Sequence, residues 1–317
     1  MAGVVILLTA LSASGGVARF GGIPVDAAAL QPVGTKLGNG FSVAAGTALV
    51  GDVFPIPIVY HQAEPIIDRG WRAILLVTGD PRTVMASYQR QARAAGMELH
   101  FPPPTLCAFN RISTEIYECF AMGADDSTND SRRVTFSLMR GPGLYGPMSH
   151  LTIVYNDPDQ PNGVFLDSTL PTDAQPGPEP PAVPRDWERL ARPGDFLFGD
   201  SYKALSGFVA PPLKVEPGST AAAPVGPAVN GFAGSYDWVA VLRVTDDPGK
   251  IVTAYRRQLR SKQRRFGNLS PTVMTRPQAG TTVYQFSTER AGGWNHFVEI
   301  VHRSRGDWML VGASAQT

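Results

Sequence analysis

Ten of the 21 residues from Trp71 to Gln91 recur, without a gap, 167 positions later between Trp238 and Gln258. The shared residues are Trp71, Ala73, Leu75, Val77, Thr78, Asp80, Pro81, Tyr88, Arg90 and Gln91, which return as Trp238, Ala240, Leu242, Val244, Thr245, Asp247, Pro248, Tyr255, Arg257 and Gln258. The first four matches fall on alternate residues, the period of one face of a strand. On the other face Arg72, Ile74 and Leu76 become Val239, Val241 and Arg243. The shared face is therefore expected to meet the core. Both stretches then reach Asp-Pro, where the carboxylate can cap a helix and proline can take its first position without losing a hydrogen bond.

Within the expected helices, Val84, Met85, Tyr88, Ala92 and Ala95 in one stretch and Ile251, Val252, Tyr255 and Leu259 in the other keep the three-to-four spacing of one buried stripe. Gly96 and Gly267 supply C-terminal stops. The pattern downstream predicts strands near Thr105–Phe109, Glu115–Ala121, Arg132–Arg140 and His150–Tyr155, matched by Thr272–Arg276, Thr282–Thr288, Asn295–Arg303 and Trp308–Ala313. Each unit reads β-α-β-β-β-β, so the expected fold class is α+β: two tandem copies of one helix packed on a mostly antiparallel sheet. A lead-in is also repeated, Phe41-Ser-Val-Ala-Ala-Gly-Thr resembling Leu213-Lys-Val-Glu-Pro-Gly-Ser, and predicts an extra edge strand or hairpin before each unit.

Between the copies, Pro171 to Pro184 holds six prolines in fourteen residues, the composition of an extended spacer. The expected organisation is an apolar N-terminal segment over 1–33, a first repeat over 34–157, a Pro-rich linker over 158–192 and a second repeat over 193–317. A chain of 317 residues with 43% hydrophobic and 17% charged content can bury the two cores this requires.

The N-terminus carries an apolar run of about a dozen residues, too short to span a bilayer and suited to a signal h-region. No Lys or Arg precedes it and no Cys follows it closely. Secretion or attachment by this segment is the expectation, with a buried N-terminal element in a cytoplasmic protein as the alternative.

The cysteines are Cys107 and Cys119, placed on two consecutive expected strands by a hairpin turning near Ser113. Under the 167-residue shift they become Met274 and Phe286, an apolar pair, which favours a contact between the two positions. A disulfide is the first expectation and a reduced buried pair the second; a loop this short would gain roughly 3 kcal/mol from the bridge in the chain-entropy model.

Gly141-Pro-Gly-Leu-Tyr-Gly146 matches a dinucleotide fingerprint in letters, but Pro147 and a strand-like run follow where a helix must open, so a hairpin loop is expected. Asp125 to Asp130 lacks the glycine and terminal glutamate of an EF-hand loop. His61, His100, His150, His296 and His302 show no ligand spacing; the last two, six residues apart on one strand, would stand about 20 Å from each other. No metal or cofactor is expected.

The copies differ most in charge. Lys203 to Asp307 holds 14 basic and seven acidic residues, whereas Asp159 to Asp200 holds three and eight. The split fits an anionic partner for the second copy, or attraction between that copy and its linker. The helix from Lys250 to Arg265 has seven basic residues and no acid. Arg256, Arg260 and Arg264 stand at i, i+4 and i+8 as one ridge flanked by Arg257 and Arg265, against the plainer alternative of a solvated helix face. No aromatic platform or nucleic-acid motif accompanies the ridge, so an anionic envelope component or an acidic protein is the expected partner class rather than nucleic acid. The repeated pairs Arg90-Gln91 and Arg257-Gln258 are either duplicated binding residues or hydrogen-bond partners at the sheet edge. Together these features favour a non-catalytic exported or envelope-associated binding protein. The alternatives are an enzyme with an unrecognised site and a polyanion-binding protein using helix 250–265.

Overall fold

The computed structural model describes residues 16–55, 71–99, 110–111, 117–125, 132–140, 149–156, 189–198, 213–224, 226–229, 236–266, 270–278, 281–289, 294–302 and 307–315. They form a sheet-rich α+β structure with two α-helices and antiparallel strand pairing throughout.

In the N-terminal half the main elements are β1 (Thr47–Val50), β2 (Trp71–Val77), α1 (Pro81–Ala94), β3 (Tyr117–Asp125), β4 (Arg132–Arg140) and β5 (Ser149–Asn156). They lie in a nine-stranded sheet in the order β3-β4-β5-β2-β1, extended by Asn110–Arg111 beyond β3 and Leu30–Gln31 beyond β1. In the C-terminal half the elements are β6 (Ser219–Ala221), β7 (Tyr236–Val244), α2 (Pro248–Phe266), β8 (Ser270–Gln278), β9 (Thr281–Glu289), β10 (Trp294–His302) and β11 (Asp307–Ala315). Their seven-stranded sheet runs β6-β7-β11-β10-β9-β8. Two short strands, Phe54–Pro55 and Gly226–Val229, pair with the opening residues of β2 and β7 respectively.

Both helices start where Asp-Pro predicts. The Asp80 carboxylate accepts from the backbone N–H of Thr83 at 2.8 Å, and that of Asp247 from Lys250 at 2.9 Å. Val84, Met85, Tyr88 and Ala92 are buried against Ala73, Leu75, Val77, Phe136 and Ile153. Ile251, Val252 and Tyr255 are buried in turn. Gly96, at φ 83°, ends α1 in the left-handed conformation a glycine tolerates. α2 continues to Phe266, 19 residues against 14 in α1.

Arg132–Arg140 has the expected bounds, and the other described strands differ from expectation by one to four residues. The segment Thr105–Phe109 lies outside the described residues, as do residues 126–130 and 141–148, where the hairpin loop was expected. The lead-ins form strands as expected: Phe41–Ser42 pairs with Lys36–Gly38, and Leu213–Lys214 with Phe196–Phe198. The first connection is a tight turn at Asn39-Gly40; the second contains residues 199–212, outside the described residues.

Three expectations are corrected. The N-terminal segment was drawn over 1–33, and its described part belongs to the fold. Residues 16–33 are built into it through the strands Val17–Phe20 and Ile23–Asp26, with Ile23, Val25 and Ala29 buried. Residues 189–192, assigned to the linker, likewise join the second lead-in, where Ala191 C=O accepts from Ala221 N–H at 3.2 Å. The third correction concerns the strand faces: one core face was expected on β2 and β7, but both faces are buried. Ile74 and Leu76 are at most 1% exposed, and Val239 and Val241 at most 3%. With Val50, Phe54, Trp308 and Leu310 they share one apolar cluster that joins the two sheets on the sides turned away from the helices. A β-strand sends alternate residues to opposite faces, so Ala240, Leu242 and Val244 face α2 while Val239 and Val241 face the first sheet. The layers are α1, first sheet, second sheet, α2.

Gly51 sits inside this sheet-to-sheet contact at φ 73°, and a Cβ there would lie 2.9 Å from Val241 Cγ1 and 3.3 Å from the Trp308 ring. Gly51→Ala is expected to lower stability by about 1–3 kcal/mol through overpacking and positive-φ strain. Denaturant unfolding checks this, and a change under 0.5 kcal/mol would contradict the stacked arrangement.

Candidate functional site

The polar side chains held in place by this architecture fall into three groups: two helix-to-lead-in clasps, a charged junction between the halves, and the outer face of α2.

In the first clasp, Tyr88 projects from the buried stripe of α1, and its hydroxyl accepts from Ala44 N–H at 3.1 Å. Thr47 Oγ1 lies 3.1 Å from the same hydroxyl and donates to Ala44 C=O at 2.7 Å. A threonine hydroxyl has one proton to give, so Tyr88 must be the donor to Thr47. One turn on, Gln91 holds the backbone of Ser42 from both sides: its Oε1 accepts from Ser42 N–H at 2.8 Å and its Nε2 donates to Ser42 C=O at 3.1 Å. Gly46, at φ 81°, turns its C=O to accept from Thr78 N–H at 2.9 Å.

The second clasp uses the same chemistry. Tyr255 hydroxyl accepts from Glu216 N–H at 3.3 Å, and Ser219 Oγ donates to Glu216 C=O at 2.8 Å. Gln258 accepts from Lys214 N–H and donates to Lys214 C=O, both at 2.9 Å, and its Nε2 also meets Glu216 Oε1. Gly218, at φ 84°, presents its C=O to Thr245 N–H at 2.7 Å. Burial pushes both phenols above the ordinary tyrosine range, against the opposing pull of their hydrogen bonds.

The junction is centred on Asp26. Its backbone N–H donates to Ala222 C=O at 2.9 Å, its Oδ1 caps a short 3-10 turn through Ala28 N–H at 3.0 Å, and its Oδ2 lies 3.3 Å from Arg243 Nε. The last contact is near enough for an ion pair but not aligned as a hydrogen bond. It ties the N-terminal segment to β7.

These positions account unevenly for the residues singled out from sequence. Gln91 and Gln258 act on backbone at the sheet edge, while Arg90 and Arg257 next to them are exposed on their helices. Arg256 is half-buried, and its Nε has no hydrogen-bond partner among the described residues. The α2 backbone runs through positions 260, 264 and 265, whose side chains lie outside the described part. Cys119 is on β3 opposite Leu138, and Cys107 lies outside the described residues. The support drawn from their counterparts fails on register: Met274 pairs with Gln285 and Phe286 with Val273, so the two stand one residue out of step and on opposite faces of the sheet. His296 and His302 both lie on β10 and His150 on β5, while His61 and His100 are outside the described residues. Among the described residues no three His, Cys, Asp or Glu side chains gather as a metal site, and no helix is long and apolar enough to cross a membrane.

Sequence reasoning placed Tyr88 and Tyr255 on the buried stripe and did not foresee their hydroxyl chemistry. The signal was available, because tyrosine recurs where phenylalanine would fill the same volume, and a hydroxyl residue recurs at Thr47 and Ser219. Nothing in the sequence pointed to Asp26 with Arg243.

Replacing Gln258 by Ala removes its two bonds to the Lys214 backbone and is expected to destabilise the chain by about 0.5–1.5 kcal/mol; Gln91→Ala should act on Ser42 in the same way. Chemical denaturation measures both, and two neutral substitutions would refute the clasp. The tyrosines give a pH test. A phenol whose ionisation is raised by folding contributes stability in full below the ordinary value of 10.0, and loses it as the pH climbs above that value. Phenolate absorbance of the folded protein should therefore show at least two of the nine tyrosines failing to ionise with the others until alkaline unfolding. Full titration of all nine near 10 in folded protein would contradict the buried clasps.

No family model matches this sequence, and no curated protein matches it. Among solved structures the chain is similar to the acyl-CoA thioesterase II TesB2 of Mycobacterium marinum at 11% identity and a TM-score of 0.16, over 78% of this chain and 92% of that one. It is similar to a tesB protein of Mycobacterium avium subsp. paratuberculosis at 11% identity and a TM-score of 0.15, over 77% and 92% of the two chains. A hot dog fold protein of unknown function from Alicyclobacillus acidocaldarius gives 12% identity and a TM-score of 0.13, over 78% and 91%. TM-scores of this size define no shared fold, and these likenesses do not bear on function.

Proposed function

We propose that this protein is a non-catalytic binding protein, exported or held at the cell envelope, built from two copies of one β-α-β-β-β-β unit. The observation that carries the reading is the use made of the repeated polar residues. Asp80 and Asp247 cap helices, Tyr88 and Tyr255 reach backbone N–H groups, and Gln91 and Gln258 clasp a lead-in strand. The Asp, Tyr and Gln side chains common to the two halves thus bind their own backbone, which is the work of a scaffold, while Arg90 and Arg257 stay exposed. Functional chemistry then belongs to what the halves do not share, and the largest difference is the length and charge of α2. The same order, β3-β4-β5-β2-β1 in one sheet and β9-β10-β11-β7-β6 in the other, supports the duplication. The apolar run before residue 16 supports an envelope location.

Fractionation of native-host cells producing the full chain with a C-terminal tag tests the location. Recovery outside the cytoplasm, or in the membrane fraction, is expected. An intact chain confined to the soluble cytoplasm would refute it.

A further inference from the structure

We propose that the outward face of α2 is a docking surface for an anionic lipid bilayer, an inference that rests on the binding-protein reading and names its partner. α2 is fixed to the body by its inner side: Ile251, Val252 and Tyr255 are buried, and Gln258 is tied to the Lys214 backbone. Lys250, Thr253 and Arg257 are exposed on the side away from that stripe. Helical spacing brings positions 256, 260 and 264 into line next to them, over about 12 Å of helix. The charge is also graded along the axis. Asp246 and Asp247 precede the helix and Lys250 lies 3.9 Å from Asp246, whereas from Arg256 onwards the helix has six basic residues and no acid. α1 has Arg82, Arg90 and Arg93, and stops before the position equivalent to the last turn of α2, where Lys262, Arg264 and Arg265 lie.

A helix forming the outermost layer presents a convex ridge, which suits a surface that spreads around it rather than a ligand needing enclosure. Anionic headgroups supply such a surface, and every basic residue brought near it raises partitioning about fivefold. Stable attachment of a protein to a membrane takes two weak signals, such as one apolar segment and one polybasic patch, and the apolar run before residue 16 would be the other. A base-reading interface would in addition call for stacking aromatics or side chains set to meet base edges.

The test is sedimentation of the full-length chain with vesicles of phosphatidylcholine alone and of phosphatidylcholine with 30% phosphatidylglycerol, a composition on the order of natural anionic leaflets. Binding to the anionic vesicles should exceed binding to the neutral ones by tenfold or more and fall as salt is raised. Arg257→Gln, Arg260→Gln and Arg264→Gln together should reduce it on the order of a hundredfold; glutamine preserves helix propensity. Arg82→Gln, Arg90→Gln and Arg93→Gln remove the same net charge from α1 and should change it less than threefold. Equal binding to both vesicle types, a loss under tenfold in the α2 variant, or an equal loss in the α1 variant overturns the proposal. So does tighter binding to duplex DNA than to anionic vesicles at the same ionic strength. An exported chain indifferent to anionic vesicles would sink the lipid proposal and leave the envelope reading standing, whereas a cytoplasmic chain that binds them would do the reverse.

Discussion

Burial of both faces of β2 and β7 is the constraint from which the arrangement of the chain follows. One helix covers one face of a sheet. Ala73, Leu75 and Val77 are covered by α1, but Ile74 and Leu76 on the reverse need another apolar surface. Val239, Val241, Trp308 and Leu310 of the second sheet provide it. Each fully buried aliphatic side chain contributes about 1.5–3 kcal/mol relative to exposure, so an interface of this kind far outweighs a single charge pair such as Asp26 with Arg243. Close approach explains the glycine at position 51, where any side chain would meet Val241 and Trp308.

Once the sheets are stacked back to back, the helices must lie on the outside and must be held there. The tyrosine and glutamine one turn apart on each helix do this by bonding the backbone of a strand that enters before the sheet begins. Buried tyrosine hydroxyls would be costly without partners, and those of Tyr88 and Tyr255 meet backbone N–H groups, while the half-buried Gln91 and Gln258 meet backbone on both sides. The clasp is therefore both packing and specification, since it fixes where the lead-in strand crosses the helix.

The same geometry separates scaffold from function. The recurring Ala, Leu, Val and Tyr residues face inward and the recurring Asp and Gln bind backbone, whereas Arg90 and Arg257 are exposed. The outer face of α2 is unlike that of α1: its helix is five residues longer, 19 against 14, and basic over its C-terminal part. Arginine near a helix C-terminus also complements the helix dipole. That effect reaches only the last turn, and so accounts for Arg264 and Arg265 but not for Arg256 and Arg257, which lie two turns further in.

The strand, cap and helix of each half were legible in the sequence because local physics sets them. Alternation at Trp71, Ala73, Leu75 and Val77 is a strand period, Asp-Pro is a cap, and Val84, Met85 and Tyr88 are a helical stripe. Each signal lies within a few residues of what it determines. Register was less legible. Met274 and Phe286 looked like a contacting pair, but a slip of one residue in pairing, set by turn length, puts them on opposite faces. The stacking of the sheets, the use of residues 16–33 in the fold and the pairing of Asp26 with Arg243 were decided only by tertiary structure. They depend on which surfaces meet across long stretches of chain, and Ile74 and Leu76 are the same letters whether their second face meets a helix, a sheet or water.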